Sequence, residues 1–294
     1  MNLNPRTGLK ESHHDFYNVP LVHQTNINTL KLHGQPTAVH TVPLFGNLTL
    51  DFYSRFSPGD ELVVAFHGAN MKEKNFYPRF ERVHSLRGRA SSFVAFADPT
   101  IMVDQERQML LSWFLGGPGW DPMHGISKVI HKAMGKTGAK HIAFMGGSGG
   151  GFAALRMSAM FPGSLAFVQE PQTNIGNYIP HVVETYFSRV WPGWEGEKLI
   201  AAFPERFNMV EYYRASLPNN FIYYAQSRAD TTHVTNHYEP FKKTFGVVED
   251  SGVSRHGRYT FALYDGEING HGKITTNEFN YHYEQAMNFW RNGR

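Results

Sequence analysis

A glycine-rich turn between two regular segments constrains this chain most. The sequence GGSGG at residues 146–150 follows a short apolar run, residues 141–145, that is typical of a buried parallel strand. A helix-forming run, residues 151–160, comes directly after it. A serine between glycines in a strand–turn–helix setting is the pattern of a nucleophile elbow, a tight turn that lifts the hydroxyl above the sheet edge. We therefore predict Ser148 as a nucleophile; the alternative is a flexible glycine turn.

Composition excludes several classes of protein. A hydrophobic content of 41% and a charged content of 18% are ordinary for a globular chain of 294 residues, so wholesale disorder is not expected. The net charge of +3 is too small and too scattered for a nucleic-acid footprint or a polybasic membrane patch. The absence of cysteine rules out disulfides, zinc–thiolate sites and a thiol nucleophile.

The first residues of the chain lack the apolar core of a secretory signal. No stretch approaches the roughly 20 apolar residues of a membrane span. We therefore expect a cytoplasmic protein without an integral membrane segment.

Apolar runs along the chain predict buried parallel strands, because strands covered by helices on both faces are apolar throughout. They are residues 62–66, 93–97, 142–145, 165–168, 221–225 and 259–263. Helical segments fall between most of them, which predicts a doubly wound, mostly parallel α/β sheet. Residues 29–56 predict antiparallel strands, and the polar residues 1–28 predict an irregular N-terminal arm. We expect residues 1–294 to form a single domain.

Residues 172–217 interrupt the alternation of strands and helices and are rich in aromatic side chains. In an open α/β sheet, an insertion at this place lies above the carboxyl ends of the strands, where ligands bind. We predict a small helical lid, with Trp191 and Trp194 at its central turn as substrate contacts. The alternative is that these aromatic side chains form the core between packed helices.

An activated serine needs a base, and the base needs an orienting acid. Chain order on such a sheet places the acid after the serine and the histidine last. His271 lies between two glycines in the loop after the last predicted strand, so we predict it as the base. His282, on the final helix, suits packing better.

The acid is expected at the end of the preceding strand. Asp230 follows the predicted strand at residues 221–225 and is our first choice, although aspartate is also a favoured helix N-cap. Glu170, one strand earlier, is the alternative acid.

An oxyanion hole requires two N–H donors aimed at the developing charge. Gly149 follows the nucleophile and supplies one. The sequence His-Gly-Ala-Asn after residues 62–66 predicts the other, with Ala69 as first choice and Gly68 next. Asn70 is a candidate side-chain contact to the substrate.

His233 and His237 have the four-residue spacing that puts two ligands on one helix face. Val234 stands where the metalloprotease motif needs glutamate, and no third ligand is evident in the neighbouring sequence. We therefore predict no metal, and place both histidines on a helix surface.

From about Gly59 onwards the chain resembles the α/β-hydrolase superfamily, since strand, elbow, acid and histidine come in its order. Three strings add a narrower likeness: Phe-Ala-Asp at residues 96–98, PQTNIGNYI at 171–179 and Gly-His-Gly at 270–272. With GSGGG at 147–151 they resemble the serine-triad O-acetyltransferases of bacterial capsule assembly. The resemblance matches Ser148, Asp230 and His271 to that group's catalytic positions, and Asp230 with His233 to its polar loop. It implies acetyl transfer from acetyl-CoA to a sugar hydroxyl.

Three functions are therefore compared. The first is an ester hydrolase that uses Ser148, Asp230 and His271 on a small-molecule or saccharide ester and needs no cofactor. The second is an acyltransferase that passes the same acyl group to a sugar hydroxyl. The third is a binding protein without catalysis, which the presence of all three residues disfavours.

Overall fold

A computed structural model describes residues 2–69 and 76–294. The chain falls into two compact units, Met1–Ile142 and Ala143–Arg294. Each unit combines sheet and helix, which confirms the predicted α/β class. The single-domain organisation stays a prediction.

The strands of the first unit are mainly antiparallel. They are β1 Asn2–Leu3, β2 Lys10–His14, β3 Val19–His23, β4 Thr37–Phe45, β5 Leu48–Arg55, β6 Glu61–Phe66 and β7 Phe93–Phe96. They lie side by side in the order β1-β2-β3-β4-β5-β7-β6, and the pairs β3–β4 and β6–β7 are parallel. Its helices are α1 Val83–Arg87 and α2 Pro122–Thr137, with 3-10 turns at Ile27–Thr29 and Pro99–Val103. Asp121 caps α2 by accepting a hydrogen bond from the Met123 amide.

The predicted irregular arm at residues 1–28 is wrong, because this segment contributes three strands. β2 pairs with β3, and β3 pairs in turn with β4. Proline disfavours a strand because it has no N–H to donate, yet Pro20 lies opposite His13 in the β2–β3 ladder and outside the β3–β4 ladder. Leu9 and Val22 then bury their side chains against Ala38. Short polar strands of this kind are specified by their neighbours more than by their own composition.

The second unit has four parallel strands and one antiparallel edge strand. They are β8 His141–Gly147, β9 Leu165–Gln169, β10 Phe221–Ser227, β11 Gly252–Val253 and β12 Tyr259–Tyr264. Their order is β8-β9-β10-β12-β11, with β11 antiparallel to β12. Every residue of β9 and β10 is buried, as the continuous apolar runs predict.

Helices of the second unit connect these strands and form the insertion. They are α3 Gly149–Ala159, α4 Pro180–Val190, α5 Gly196–Ala202, α6 Pro204–Phe207, α7 Met209–Ser216, α8 Thr231–His233, α9 Glu239–Thr244 and α10 Thr276–Gly293. A 3-10 turn lies at Ile175–Asn177, and a π-helical turn, Val234–Tyr238, separates α8 from α9. The predicted lid, residues 172–217, thus contains α4 to α7. Single π turns of this kind are frequent at functional sites.

None of the described helices is long and apolar enough to cross a membrane.

His40 is buried between two polar partners in the first unit. Its Nδ1 lies 3.1 Å from the Gln24 side-chain amide nitrogen, and its Nε2 lies 3.1 Å from Ser54 Oγ. Burial removes the water that would stabilise the imidazolium ion, and it lowers the pKa of His40 to about 3. His40 is therefore neutral in the folded protein.

We expect His40 to make the protein sensitive to acid. Below about pH 6.5 the unfolded chain binds a proton that the folded His40 does not bind until about pH 3, so stability falls as the pH falls through this window. At pH 5 this linkage amounts to about 2 kcal/mol. His40→Gln should therefore show a smaller loss of unfolding free energy between pH 7.5 and 5 in urea denaturation. The exposed His13, changed to Gln, is the control; equal losses in both variants would contradict the prediction.

Candidate active site

Ser148 is the single residue between the end of β8 and the start of α3. Its backbone has φ 53° and ψ −126°, a conformation that L-residues rarely adopt. Small neighbours make this turn possible. A Cβ on Gly146 would lie 2.2 Å from the carbonyl oxygen of Gly150, and one on Gly151 would lie 2.5 Å from Pro171 Cβ. The glycines therefore let the helix start directly against the strand, which is the geometry of a nucleophile elbow.

His271 connects the serine to an acid. Its Nε2 lies 2.8 Å from Ser148 Oγ, and its Nδ1 lies 2.7 Å from Asp230 Oδ2. The glycines on either side of it have φ values of 99° and 69°, so the loop between β12 and α10 turns sharply at this point. The structure thus brings together the three residues that the sequence nominates as nucleophile, base and acid.

Asp230 is at once the N-cap of α8 and the partner of His271. Its Oδ1 accepts a hydrogen bond from the His233 amide at 3.2 Å, while its Oδ2 faces His271. Burial opposes ionisation of this carboxyl, but its contacts with the imidazoles of His233 and His271 outweigh it and lower the pKa of Asp230. A carboxylate here both orients the imidazole and stabilises its protonated form.

Glu170, the alternative acid, makes its hydrogen bond to the backbone of the loop that carries His271 and not to the imidazole ring. Its Oε2 accepts a hydrogen bond from the Gly272 amide at 2.6 Å and lies 3.6 Å from His271 Nδ1. Asp230 is closer, at 2.7 Å. Burial raises the pKa of Glu170, and the Gly272 hydrogen bond and the charge of His271 only partly offset this. The geometry therefore favours Asp230 as the acid and Glu170 as an anchor for the loop that carries His271.

Three further side chains contact the three residues of this site. Reasoning from the sequence gave them no role in catalysis. Gln172 places its side-chain nitrogen 2.8 Å from Ser148 Oγ and 3.0 Å from His233 Nε2. The ring of His233 stacks on that of His271, with centroids 3.8 Å apart and planes inclined by 10°. Tyr178 is hydrogen-bonded to the Ser148 side chain. The only signal in the sequence was the resemblance, which includes the Pro-Gln pair and the loop with His233.

His233 and His237 are buried, at 3% and 0% exposure, so their predicted place on a helix surface is wrong. His237 lies behind His233 at a ring distance of 4.7 Å, and its Nδ1 accepts a hydrogen bond from the Thr173 amide at 3.3 Å. Burial, together with the neighbouring histidines, lowers the pKa of His237 to about 3. The π-helical turn packs this pair inward, which helical spacing alone does not predict.

Ligand atoms of Asp230, His233 and His271 lie within 4.8 Å of one another, a spacing that could hold a metal ion. Both ring nitrogens of His271 already face partners, Asp230 on one side and Ser148 on the other. A metal ligated by His271 would have to break one of these contacts. The hydrogen-bonded arrangement therefore fits a nucleophile site better than a metal site.

A cavity of about 550 Å³ opens beside these residues. Its walls come from the start of the insertion, the segment around α8 and the loop of His271. They comprise Asn177, Tyr178, Ile179, Pro180, Ala229, Asp230, Thr231, Thr232, His233, Asn236, Gly270 and His271. Apart from Asp230 and the two imidazoles, the polar groups of this wall are amides and hydroxyls. The wall therefore suits an uncharged ligand that forms hydrogen bonds.

The predicted oxyanion donors are placed as follows. Gly149 is the first residue of α3, immediately after the nucleophile. In the first unit, the Gly68 amide donates to Glu81 Oε2 at 3.1 Å, and the Gly68 carbonyl accepts from Arg79. Because that amide already has an acceptor, Ala69 stays the better prediction for the second donor. Asn70 lies outside the described residues.

The two tryptophans of the insertion do not line the cavity. Trp191 is 5% exposed; its Nε1 donates to the Tyr186 hydroxyl at 3.1 Å, and its ring lies 6.0 Å from those of Phe203 and Phe207. Trp194 is 45% exposed and lies 5.8 Å from Phe203. The structure therefore does not support the predicted substrate contacts, because the aromatic side chains of this turn pack against one another.

No protein-family model matches the chain, and no curated protein matches it in sequence. Solved structures do match it in fold. The capsule O-acetyltransferase of Neisseria meningitidis serogroup A has a TM-score of 0.61 at 15% identity, over 90% of this chain and 97% of that chain. Esterase B from Lactobacillus rhamnosis has a TM-score of 0.55 at 14% identity, over 87% and 85% of the two chains.

A third structure, carboxyl esterase 2 from Tuber melanosporum, has a TM-score of 0.53 at 12% identity and covers 91% of this chain and 90% of that chain. Two of these neighbours are esterases and one is an O-acetyltransferase. At such identities the likeness concerns the fold, and the chain has an α/β-hydrolase-type fold.

The geometry around His271 leads to a prediction that separates the two carboxyl groups. Asp230→Asn should slow phosphonylation of Ser148 by a fluorophosphonate by roughly 10⁴-fold, because an amide no longer holds the imidazole in its productive tautomer. Glu170→Gln should have a much smaller effect, since an amide oxygen can still accept the Gly272 hydrogen bond. The labelling rates of the two variants are measured by intact-protein mass spectrometry. If Glu170→Gln is labelled more slowly than Asp230→Asn, the acid is Glu170.

Proposed function

We propose that this chain is a serine-dependent enzyme that cleaves acyl esters through an acyl-Ser148 intermediate. The observation that carries the proposal is the continuous chain of contacts from the strained Ser148 to His271 and on to Asp230, at 2.8 and 2.7 Å. Such a relay converts a weak hydroxyl nucleophile into an effective one.

In the first half of the reaction, Ser148 Oγ attacks the acyl carbon while its proton passes to His271 Nε2. The developing oxyanion accepts a hydrogen bond from the Gly149 amide, which lies at the N-terminus of α3. Collapse of the tetrahedral intermediate breaks the ester bond, and His271 gives its proton to the leaving alkoxide. Asp230, whose pKa is lowered, stays ionised throughout and stabilises the transient imidazolium.

In the second half, water attacks the acyl carbon and gives a proton to His271 Nε2. Collapse of the second tetrahedral intermediate breaks the bond between the acyl carbon and Ser148 Oγ and releases the acid, while His271 returns the proton to Ser148 Oγ. This makes the chain an ester hydrolase that needs no cofactor. The amides and hydroxyls of the cavity wall support small-molecule and saccharide esters as substrates.

An O-acetyltransferase is the second candidate function. It is favoured by the fold of the capsule O-acetyltransferase of Neisseria meningitidis serogroup A, a variant of which is described in complex with CoA. Here acetyl-CoA would be the acyl donor, and a sugar hydroxyl would replace water in the second half. The amides and hydroxyls of Asn177, Asn236 and Thr232 in the cavity wall are suited to such an acceptor. A binding protein without catalysis is disfavoured, because such a protein has no need of a strained serine.

Ser148→Ala should reduce turnover of p-nitrophenyl acetate by at least about 10³-fold and abolish labelling by a fluorophosphonate. The fold should persist, since alanine is smaller than serine at the same φ; circular dichroism provides the control. Substantial turnover in the purified variant would place the nucleophile elsewhere.

Hydrolysis and transfer can be distinguished by measuring how the acyl group of the acyl-enzyme is divided between water and a saccharide acceptor. With acetyl-CoA as donor, a transferase should release CoA faster when a saccharide acceptor is added, and mass spectrometry should detect the acetylated acceptor. A hydrolase should release acetate at a rate that the acceptor does not change. If the acceptor leaves both CoA release and product unaltered, the transferase alternative is contradicted.

A further inference from the structure

Gln172 and His233 close a ring of contacts around the three proposed catalytic residues. Asp230 Oδ2 lies 2.7 Å from His271 Nδ1 and 3.0 Å from His233 Nδ1. The Gln172 side-chain nitrogen then joins His233 Nε2 back to Ser148 Oγ, at 3.0 and 2.8 Å. The mechanism above uses neither Gln172 nor His233, so their place in this ring calls for a role.

Donor and acceptor roles around the ring follow from chemistry. An amide nitrogen can only donate, so Ser148 Oγ and His233 Nε2 must both accept from Gln172. His233 Nε2 then carries no proton, and the proton of the neutral ring lies on Nδ1, next to Asp230. Burial lowers the pKa of His233, which agrees with a neutral ring. His233 Nδ1 lies 3.0 Å from Asp230 Oδ2 as an ion-pair contact, but its alignment does not meet hydrogen-bond geometry.

The effect on Ser148 concerns the direction of its proton. A serine hydroxyl has one proton and two acceptor positions. An amide N–H that occupies one acceptor position leaves the hydroxyl proton to point elsewhere, towards His271 Nε2. The Tyr178 hydroxyl also contacts Ser148, but a phenol can donate or accept and so sets no direction. If the Gln172 amide were reversed, its oxygen would accept the serine proton and compete with His271.

Backbone contacts hold Gln172 in this position. The backbone N–H of Gln172 donates to the Ser148 carbonyl at 3.3 Å, and the Gln172 side chain is fully buried. The next residue, Thr173, donates from Oγ1 to the His237 carbonyl at 3.0 Å and from its amide to His237 Nδ1 at 3.3 Å. The segment is thus tied to the elbow on one side and to the π-helical turn on the other.

We propose that Gln172 is a positioning residue that directs the Ser148 hydroxyl proton to His271, and that neutral His233 fixes the orientation of the Gln172 amide. The inference rests on the proposed function for its consequence in catalysis. The contacts themselves can be tested without any substrate.

Nitrogen-15 NMR of the full-length protein labelled at histidine provides the first test, at pH 7.5. We expect His233 to be neutral with its proton on Nδ1, and His271 Nε2 to show the shift of a hydrogen-bond acceptor. Gln172→Met removes the amide donors at nearly constant length and should move the His271 Nε2 signal towards that of a free imidazole nitrogen. A proton on His233 Nε2 would mean that the amide is reversed and would overturn the proposal, as would an unchanged His271 signal in Gln172→Met.

Two substitutions of His233 provide matched variants for the second test. His233→Gln keeps a hydrogen-bond acceptor near the Nε2 position, whereas His233→Asn keeps a polar group near Nδ1 only. We expect Gln172→Met and His233→Asn to slow phosphonylation of Ser148 and kcat for p-nitrophenyl acetate by roughly 10- to 100-fold with little change in KM, and His233→Gln to stay near the parent. A larger loss in His233→Gln than in His233→Asn would show that His233 acts through Asp230 and overturn the proposal.

The NMR and kinetic tests distinguish failure of the proposed function from failure of the proposed role of Gln172. If the parent protein is not labelled at Ser148 and does not turn over esters, the proposed function fails. The NMR shifts then decide on their own whether Gln172 directs the serine proton.

Discussion

The close approach of helix α3 to the end of strand β8 determines where the reacting groups of the second unit lie. Gly146 and Gly151 permit this approach, since a Cβ at either would overlap backbone or the Pro171 ring. The approach forces Ser148 into a positive φ and turns its hydroxyl out of the sheet. Conformational strain of this kind costs on the order of 1–3 kcal/mol and persists only where surrounding structure over-determines it. The backbone contacts of Gln172 with the elbow are part of that surrounding structure.

Electrostatics explain how one buried carboxylate can serve two imidazoles. Asp230 would be costly to bury alone, but hydrogen bonds from His271 Nδ1 and the His233 amide, together with the nearby His233 ring, favour its charge. The same burial keeps His233 and His237 neutral, so the stack behind His271 adds no positive charge that would oppose proton uptake by His271. Of the three imidazoles in this row, His233 and His237 therefore act by shape and hydrogen bonding, and only His271 contacts Ser148 Oγ.

The sequence predicts the elbow and its two partners because each has a local signature: glycines around a serine, an aspartate at a strand end, and a histidine between glycines before the last helix. The roles of Gln172 and His233 have no such signature, because they arise where segments distant in the sequence meet. The N-terminal strands were missed for a related reason, since Lys10–His14 is polar and becomes a strand through its pairing with Val19–His23. At the Trp191 turn, an aromatic cluster on the surface and one in a helix core have the same composition, and only packing distinguishes them.

The two proposed functions share an acyl-Ser148 intermediate, so the choice between them depends on whether water or an acceptor takes up the acyl group. The His271 side chain is 27% exposed and borders the cavity, so water can reach the base that would activate it. Attack of water on the acyl-enzyme therefore needs no further ligand in the cavity. Transfer requires in addition that an acceptor occupy the cavity well enough to exclude water from His271 while it presents a hydroxyl at the same place. The amides and hydroxyls of the wall can orient such an acceptor, but they also hydrogen-bond water equally well. Affinity for the acceptor, and not the chemistry of the three residues, is therefore what would make this site a transferase.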